Sequence, residues 1–377
     1  MLMIVFGAGA SYDSFAQQLP TGVRDLNALG GHLRLIEDNR LPLAAGLFDQ
    51  RFANSFPDYR ICAGLFPQLA WATNTTRGVE AFLEDLSKQG AEDPVVRQQL
   101  VALRFYLARI LGETARRWLN DTTHGTTNYA VLLDRIDKWR RRSGEHVALV
   151  TFNYDDLLET AAAMVLPYFA NGFLSMEAFT SQAEYKILKL HGSTSWFRLL
   201  PGIKYQNDEY QDALSRAAEG ELDLDDTFMT INQKPQTTLA GPVTLPAIAI
   251  PLQEKLNFEC PARHVQALKE AISETRKILI VGWKGMEHHF LRLWTQDALS
   301  PISSSWPADP GAVDRRQLWD GPPQLAKVLI VDAGEGGRTT ESQLRTVGMM
   351  TRTEIEHWTT GFSSFVQSED LTAFLGL

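Results

Sequence analysis

Short apolar runs, each ending in small or polar residues, recur from one end of the chain to the other. Runs of this length that contain valine and isoleucine are typical of buried strands, and several of the stretches between them have the apolar spacing of helices. This alternation predicts an α/β fold with a mostly parallel, Rossmann-like sheet and helices on both of its faces. The predicted strands lie at Met1–Phe6, His146–Phe152, Lys186–Leu190, Ala247–Ile250, Lys277–Val281, Lys327–Val331 and Met350–His357.

The chain between the first two predicted strands is mostly helical. Arg97–Leu119 has the clearest pattern, since Leu103, Leu107 and Ile110 recur on one helical face. Further along the chain, a polar and acidic stretch rich in turn residues predicts a mobile insertion. The predicted units are a Rossmann-like domain of residues 1–30 and 143–377, a helical insertion subdomain of residues 31–142, and the mobile acidic insertion at residues 201–242.

A small-residue turn, Gly7-Ala8-Gly9-Ala10-Ser11, follows the first predicted strand directly. Because Gly7 and Gly9 lack a Cβ, the backbone can turn tightly there and a pyrophosphate can approach its N–H groups. The third glycine of a dehydrogenase fingerprint is missing, and Tyr12 stands in its place. The alternative interpretation is an ordinary turn of small residues, so this stretch alone does not decide between the two.

Polar residues also follow the other predicted strands of the sheet. Ligands of parallel α/β sheets bind at the carboxyl ends of the strands, so these residues are candidates for one common site. Two alternatives stay open: His191 as a hydrogen-bonded structural histidine, and Asn153 to Asp156 as a helix N-cap. The residues that follow the strands are Asn153, Asp155, His191, Gly282 and Asp332.

Composition argues against several classes of function. The net charge of −9 argues against a general nucleic-acid binder, which needs a basic surface to displace counterions. Two cysteines, Cys62 and Cys260, are too few for a four-thiolate zinc site, and the adjacent His288 and His289 have no evident carboxylate or thiolate partner, so we expect no bound metal. No stretch has the length of a membrane span and the N-terminus lacks a signal peptide, so we expect a cytoplasmic protein.

Three strand-end motifs together resemble the sirtuin-like family, and most closely its bacterial anti-phage defence branch. They are Gly-Ala-Gly-Ala-Ser at 7–11, Thr-Phe-Asn-Tyr-Asp at 151–155 and Leu-His-Gly-Ser at 190–193. Pro20-Thr21-Gly22 and the stretch from Ile280 to Phe290 are similar to that branch as well, and the resemblance extends to about Gly334.

The resemblance implies an NAD⁺ site and a role for each matching residue. His191 is implied as the catalytic histidine, which acts on the ribose hydroxyls as a general base, and Asn153 as the residue that holds the attacking water beside the nicotinamide ribose. The implied cofactor-binding residues are Gly7, Ala8, Gly9 and Ser11 at the pyrophosphate, Thr21 in the same region, Asn153 and Asp155 at the nicotinamide ribose, and Gly282, Asp332 and Ala333 at the adenosine half.

These residue types suit the cleavage of the nicotinamide–ribose bond. That cleavage passes through an oxocarbenium-like state and releases neutral nicotinamide, so it needs no acid for the leaving group. Histidine titrates near neutral pH, which suits proton transfer from a ribose hydroxyl. The two Cys-x-x-Cys pairs of zinc-binding sirtuins are missing, so we expect no zinc module and no peptide cleft beside it. Water is then the expected acceptor.

We therefore expect an NAD⁺ hydrolase that releases nicotinamide and ADP-ribose and depletes NAD⁺ in abortive anti-phage defence. Such an enzyme must be silent at rest, which predicts a homo-oligomer or control by a partner, and the family implies a HerA-type hexameric ATPase. We expect no membrane association and no direct sequence-specific nucleic-acid binding. The alternatives are an NAD-dependent protein deacylase or ADP-ribosyltransferase that uses the same pocket, or a non-catalytic sensor of NAD⁺ or ADP-ribose.

Overall fold

The computed structural model describes residues 1–16, 26–75, 77–204, 208–220, 222, 224, 226–234, 242–252, 258–294, 325–346 and 353–376. The strands in these ranges are β1 Leu2–Phe6, β2 Val147–Thr151, β3 Tyr185–Lys189, β4 Gly192–Lys204, β5 Phe228–Thr230, β6 Pro242–Ile248, β7 Lys277–Val281, β8 Lys327–Val331 and β9 Ile355–Trp358. The α-helices are α1 Ala8–Tyr12, α2 Leu26–Asn39, α3 Phe66–Ala72, α4 Gly78–Gln89, α5 Pro94–Arg117, α6 Asn128–Ser143, α7 Leu157–Val165, α8 Glu209–Glu219, α9 Ala262–Glu274, α10 His288–Arg292, α11 Gly336–Thr346, α12 Phe362–Gln367 and α13 Asp370–Leu375.

Six of the described strands form one sheet in which all neighbouring strands are parallel. Their order is β3-β2-β1-β7-β8-β9. This is the order of a doubly wound, Rossmann-like sheet, in which the direction of winding reverses between β1 and β7. The predicted α/β fold with a mostly parallel sheet is confirmed.

The register of this sheet brings the carboxyl ends of its strands to one level. Phe6, the last residue of β1, pairs with Thr151 of β2 on one side and with Val281 of β7 on the other. Thr151 in turn pairs with Lys189 of β3, and Val281 pairs with Val331 of β8. Because neighbouring strands lie about 4.8 Å apart, the residues that follow these positions form one row along the sheet edge.

A second, antiparallel sheet has the strand order β5-β4-β6. In this sheet the sequence pattern predicted only a strand at Ala247–Ile250, whereas β6 runs from Pro242 to Ile248 because Pro242 already pairs with Lys204 of β4. Strand β4 continues to Lys204 through Pro201-Gly202, a pair that resembles a turn in the sequence. The described part of residues 201–242, which we predicted to be a mobile insertion, therefore contains the end of β4, helix α8 and strand β5.

Helix α5 is the longest described helix, and a cap fixes where it starts. The Asp93 carboxylate accepts a hydrogen bond from the Val95 N–H at 2.8 Å, and Pro94 occupies the first turn, where no N–H is needed. The helix therefore begins before Arg97, the start predicted from apolar spacing. No described helix, α5 included, combines the length and apolar character needed to cross a membrane.

Two hydrophobic cores organise the described residues. One surrounds the parallel sheet. The other joins α5 to α8 and to the antiparallel sheet, with Leu103, Leu107, Ala213 and Val243 among its buried members. The helical residues and the second sheet thus share one core, and the division of the chain into a domain and an insertion subdomain at residue 142 stays a prediction.

Candidate active site

The glycine turn after β1 packs directly against the end of β7. The Gly7 N–H donates to the Val281 carbonyl and the Gly9 N–H donates to the Gly282 carbonyl, both at 3.0 Å. A Cβ on Gly7 would lie 2.5 Å from the Gly282 carbonyl oxygen, which is closer than real Cβ atoms approach. The glycines are therefore needed for contact between the two strand ends, and both N–H groups already have acceptors within the protein.

Gly282 completes this contact from the side of β7. Its backbone has φ of +59°, the left-handed region that favours glycine, and a Cβ there would lie 2.4 Å from the Ala10 nitrogen. In the turn it faces, Ala8 is exposed and Gly9 is half-buried, whereas Gly7 and Ala10 are buried. A ligand can therefore reach the turn only around Ala8 and Gly9, at the point where the sheet winding reverses.

Asn153 ties the end of β2 to this turn. Its side chain is 6% exposed. Its amide nitrogen lies 2.9 Å from the Gly7 carbonyl oxygen, 2.9 Å from the Ser11 hydroxyl and 3.1 Å from the Tyr129 hydroxyl. The amide N–H groups thus hold three elements together, a structural task that sequence analysis did not assign to this residue.

Tyr129, in the first turn of α6, is a member of the site that sequence analysis missed. Its hydroxyl lies 2.9 Å from the Ser11 hydroxyl, and burial raises its pKa well above the ordinary value of 10. In the sequence, Tyr129 is the first residue of a predicted helix, Tyr129–Arg142, and that position is equally typical of a core residue.

Asp155 lies two residues beyond Asn153 and is buried. One of its carboxylate oxygens accepts a hydrogen bond from the Leu157 N–H at 3.2 Å, so Asp155 helps to cap α7. Burial raises its pKa, while the positive charge of Lys189 and a hydrogen bond from Ser11 act in the opposite direction. Asp155 thus contributes to the start of α7, as the helix-capping alternative proposed, and its predicted place at the nicotinamide ribose stays a prediction.

His191 follows β3 and is 2% exposed. Its ring centroid lies 5.0 Å from that of Phe152, 6.3 Å from that of Tyr154 and 5.7 Å from that of His289, with the two histidine rings stacked at 27°. Behind Phe152, Trp283 stacks on the phenyl ring at a centroid distance of 5.3 Å. The imidazole therefore lies against an aromatic wall built from the ends of β2 and β7.

The main chain around His191 is fixed by the second sheet. The His191 carbonyl accepts a hydrogen bond from the Ala249 N–H at 2.9 Å. Gly192 has φ of +81°, and a Cβ there would lie 2.0 Å from the Ala247 carbonyl oxygen. The passage from β3 into β4 therefore requires glycine and holds the histidine in place.

The remaining predicted residues lie further along the same sheet edge or outside the described residues. Asp332 and Ala333 follow β8, which β7 separates from β1. The Asp332 carboxylate accepts a hydrogen bond from the Ala333 N–H at 2.7 Å, and Ala333 is exposed. Thr21 lies outside the described residues. Within the described ranges, no three His, Cys, Asp or Glu side chains are grouped so that they could hold a metal.

Comparison with known proteins gives a likeness to solved sirtuin structures. No family profile and no curated protein sequence matches the chain. Among solved structures it is similar to Sir2Tm bound to a propionylated peptide, with 13% identity, a TM-score of 0.35 and coverage of 100% of this chain and 94% of that chain. For a Sir2 complex with a p53 peptide and NAD⁺ the values are 14%, 0.34, 99% and 93%. TM-scores this low carry no argument about function, and the fold assignment rests on the strand order and register.

Proposed function

We propose that this chain binds NAD⁺ and hydrolyses its nicotinamide–ribose bond, releasing nicotinamide, ADP-ribose and a proton. One observation carries the proposal: the glycine turn, Asn153 and His191 follow three strands, β1, β2 and β3, that are adjacent and in register. These are the three strand-end motifs that resemble the sirtuin-like family. Their convergence at one sheet edge is what a shared dinucleotide site requires.

The exposed part of the glycine turn is the proposed place of the pyrophosphate. Ala8 and Gly9 are the accessible residues there, and they lie beside Gly282 at the reversal of winding, where doubly wound sheets bind their ligands. Asp332 and Ala333 lie two strands away, at about 10 Å by ordinary strand spacing. That separation suits the adenosine half of an extended dinucleotide.

The nicotinamide ribose is proposed to lie between Asn153 and His191. His191 would accept a proton from a ribose hydroxyl as the oxocarbenium-like state forms, and the aromatic wall around its ring would exclude bulk water. Asn153, held by Gly7 and Ser11, keeps the turn and the end of β2 in fixed relation while the bond breaks. A water molecule is the proposed acceptor of the ADP-ribosyl group.

The acceptor can be tested by supplying NAD⁺ with and without an acylated peptide. Hydrolysis predicts nicotinamide and ADP-ribose in equal amounts without peptide, measured by liquid chromatography. If NAD⁺ is consumed only when the peptide is present, the activity is deacylation and not hydrolysis. If ADP-ribose is found attached to protein, the activity is ADP-ribosyl transfer. If NAD⁺ binds but is not consumed under any condition, the chain is a non-catalytic sensor and the proposal of hydrolysis is wrong.

The proposed activity also suggests a biological role for the chain. We propose that the chain acts as an NAD⁺-depleting effector of anti-phage defence, held silent as a homo-oligomer or by a HerA-type hexameric ATPase. The support is the motif resemblance alone. Phage-infected cells that carry the wild-type chain should lose NAD⁺, whereas cells with His191→Ala should keep it. Equal NAD⁺ levels in the two strains would contradict this role.

A further inference from the structure

A fully buried lysine lies under the proposed site. Lys189 is the last residue of β3, and its side chain is 0% exposed. Its ammonium group donates a short hydrogen bond to the Asp155 carbonyl and pairs with the Glu159 carboxylate at 2.9 Å. Glu159, on α7, is itself only 7% exposed. One cation thus joins the end of β3, the loop after β2 and the first turns of α7.

This cluster continues without a break into the proposed site. The Asp155 carboxylate is bonded to the Ser11 hydroxyl, which also accepts a hydrogen bond from the Asn153 amide at 2.9 Å. The same amide donates to the Gly7 carbonyl. A chain of buried contacts therefore runs from Lys189 through Asp155 and Ser11 to Asn153 and the glycine turn.

Fold stability alone does not account for a lysine at this position. Taking an ammonium group and carboxylates out of water costs several kcal/mol per ion, and replacing a buried ion pair with apolar side chains is often neutral or stabilising. The β3 residues Ile187 and Leu188, and Leu190 directly after the strand, are buried and apolar, so an apolar residue would suit the core equally well. Core packing alone therefore gives no reason for a charge at this position.

We propose that Lys189 is a positioning residue for NAD⁺ cleavage: it anchors the loop after β2 through the Asp155 carbonyl, so that the Asp155 carboxylate, Ser11 and Asn153 hold their arrangement. This inference rests on the proposed function of the site. Lys189 is buried behind the Asp155 loop, and its part in the reaction is exerted through Asp155.

The charges around Asp155 determine how the site responds to pH. Burial raises the pKa of Asp155, and the Lys189 ammonium is the largest influence in the opposite direction. The other titratable groups that influence Asp155 are Tyr129 from α6 and Asp156 from its own loop, whereas Glu159 from α7 faces Lys189. Without Lys189, the pKa of Asp155 rises further, so activity that needs its carboxylate is lost at a higher pH.

The test compares the double variant Lys189→Met/Glu159→Gln with Glu159→Gln alone. The double variant removes the ion pair as a unit, so no partner of the pair is left buried with an unbalanced charge and the chain should fold. We expect its kcat for NAD⁺ cleavage to fall about 100-fold with KM nearly unchanged, because the groups are misplaced rather than absent. The acidic limb of its pH–rate profile should move to higher pH, because the Lys189 ammonium no longer lowers the pKa of Asp155.

Glu159→Gln is the matched control: its amide oxygen can still accept a hydrogen bond from Lys189, the Asp155 carboxylate remains as a counter-charge, and the bond from Lys189 to the Asp155 carbonyl is kept. We expect its kcat to stay within about twofold of wild type and its acidic limb not to rise. A purely structural role of the cluster predicts instead that the double variant recovers full activity once it folds. Recovery of wild-type kcat, an unmoved acidic limb, or an equal loss of kcat in Glu159→Gln would each overturn the inference while the proposed function stands. A wild-type chain that cleaves no NAD⁺ would overturn the proposed function and this inference with it.

Discussion

The Asn153 amide has a structural task in addition to its proposed chemical one. The motif resemblance implied that this residue lies beside a ligand. In the structure its amide nitrogen lies within hydrogen-bond distance of Gly7, Ser11 and Tyr129. Predicting that Asn153 lies at the edge of the sheet required only the apolar run before it. The places of Tyr129 and Lys189 near the site could not be predicted in this way, because a buried polar residue that contacts a site has the same sequence spacing as an ordinary core residue.

Replacing Asn153 with alanine should cost about 1–3 kcal/mol in free energy of unfolding, because buried acceptors lose their donor. Tyr129→Phe is the matched control at the same network: it keeps the Asn153 bond to Gly7 and should cost about 1 kcal/mol. Urea denaturation measures both values. A smaller loss for Asn153→Ala than for Tyr129→Phe would show that the amide does not hold the turn.

Glu159 should make stability depend on pH. Burial raises its pKa from 4.5 to about 7, against the influence of Lys189. Because the folded protein holds this proton more tightly than the unfolded chain, its stabilising contribution is complete below pH 4.5 and is lost as pH rises through about 7. Glu159→Gln should lack this loss, as urea denaturation of both proteins across that range would reveal. Parallel stability profiles would contradict the assignment.

At the level of strands and turns, the contact between the β1 turn and the end of β7 organises the site. The motif resemblance implied Gly7 and Gly9 at the pyrophosphate and Gly282 at the adenosine half, but the packing of these glycines against one another depends on which strands are neighbours. Strand order is a property of the folded sheet: β1 and β7 are separated by most of the chain yet pair along their whole length.

Gly282→Ala tests this contact, with Gly144→Ala as its control. Both glycines have positive φ, +59° and +70°, so alanine is strained at either position by about 1–2 kcal/mol. At Gly282 the new Cβ would also lie 2.4 Å from the Ala10 nitrogen, whereas no atom lies within 4 Å of the corresponding position at Gly144. Thermal unfolding should therefore show a clearly larger loss for Gly282→Ala. Equal losses would mean that the turn can move away from β7 without cost.

Across the whole molecule, sequence periodicity predicted the strands of the parallel sheet, but of the antiparallel sheet only the end of β6. Five strands of the parallel sheet are buried on every or nearly every residue, so each forms an apolar run that can be recognised locally. Strand β4 carries Pro201-Gly202 and β5 is three residues long, so both resemble loop sequence and become strands only by pairing. The same pairing fixes the main chain at His191, which is why the position of this residue in the site was only partly predictable.

The proposed silence at rest predicts that the purified chain is a homo-oligomer. Control by assembly needs contact between copies or with a partner, and the motif resemblance is the support for this expectation. Sedimentation velocity should give a mass that is a multiple of the chain mass. A species with the mass of one chain at all concentrations would contradict self-assembly. Control by a partner protein would then be the remaining explanation for an enzyme that is silent at rest.

The central claim is that His191 takes part in breaking the nicotinamide–ribose bond. The most direct measurement is nicotinamide release from NAD⁺ without peptide, by the chain alone and with a HerA-type ATPase added. His146, an exposed histidine just before β2, provides the matched control. We predict release by wild type and by His146→Ala, and a fall of about 100-fold or more for His191→Ala. Equal release by His191→Ala, or no release by wild type under either condition, would contradict the proposed function.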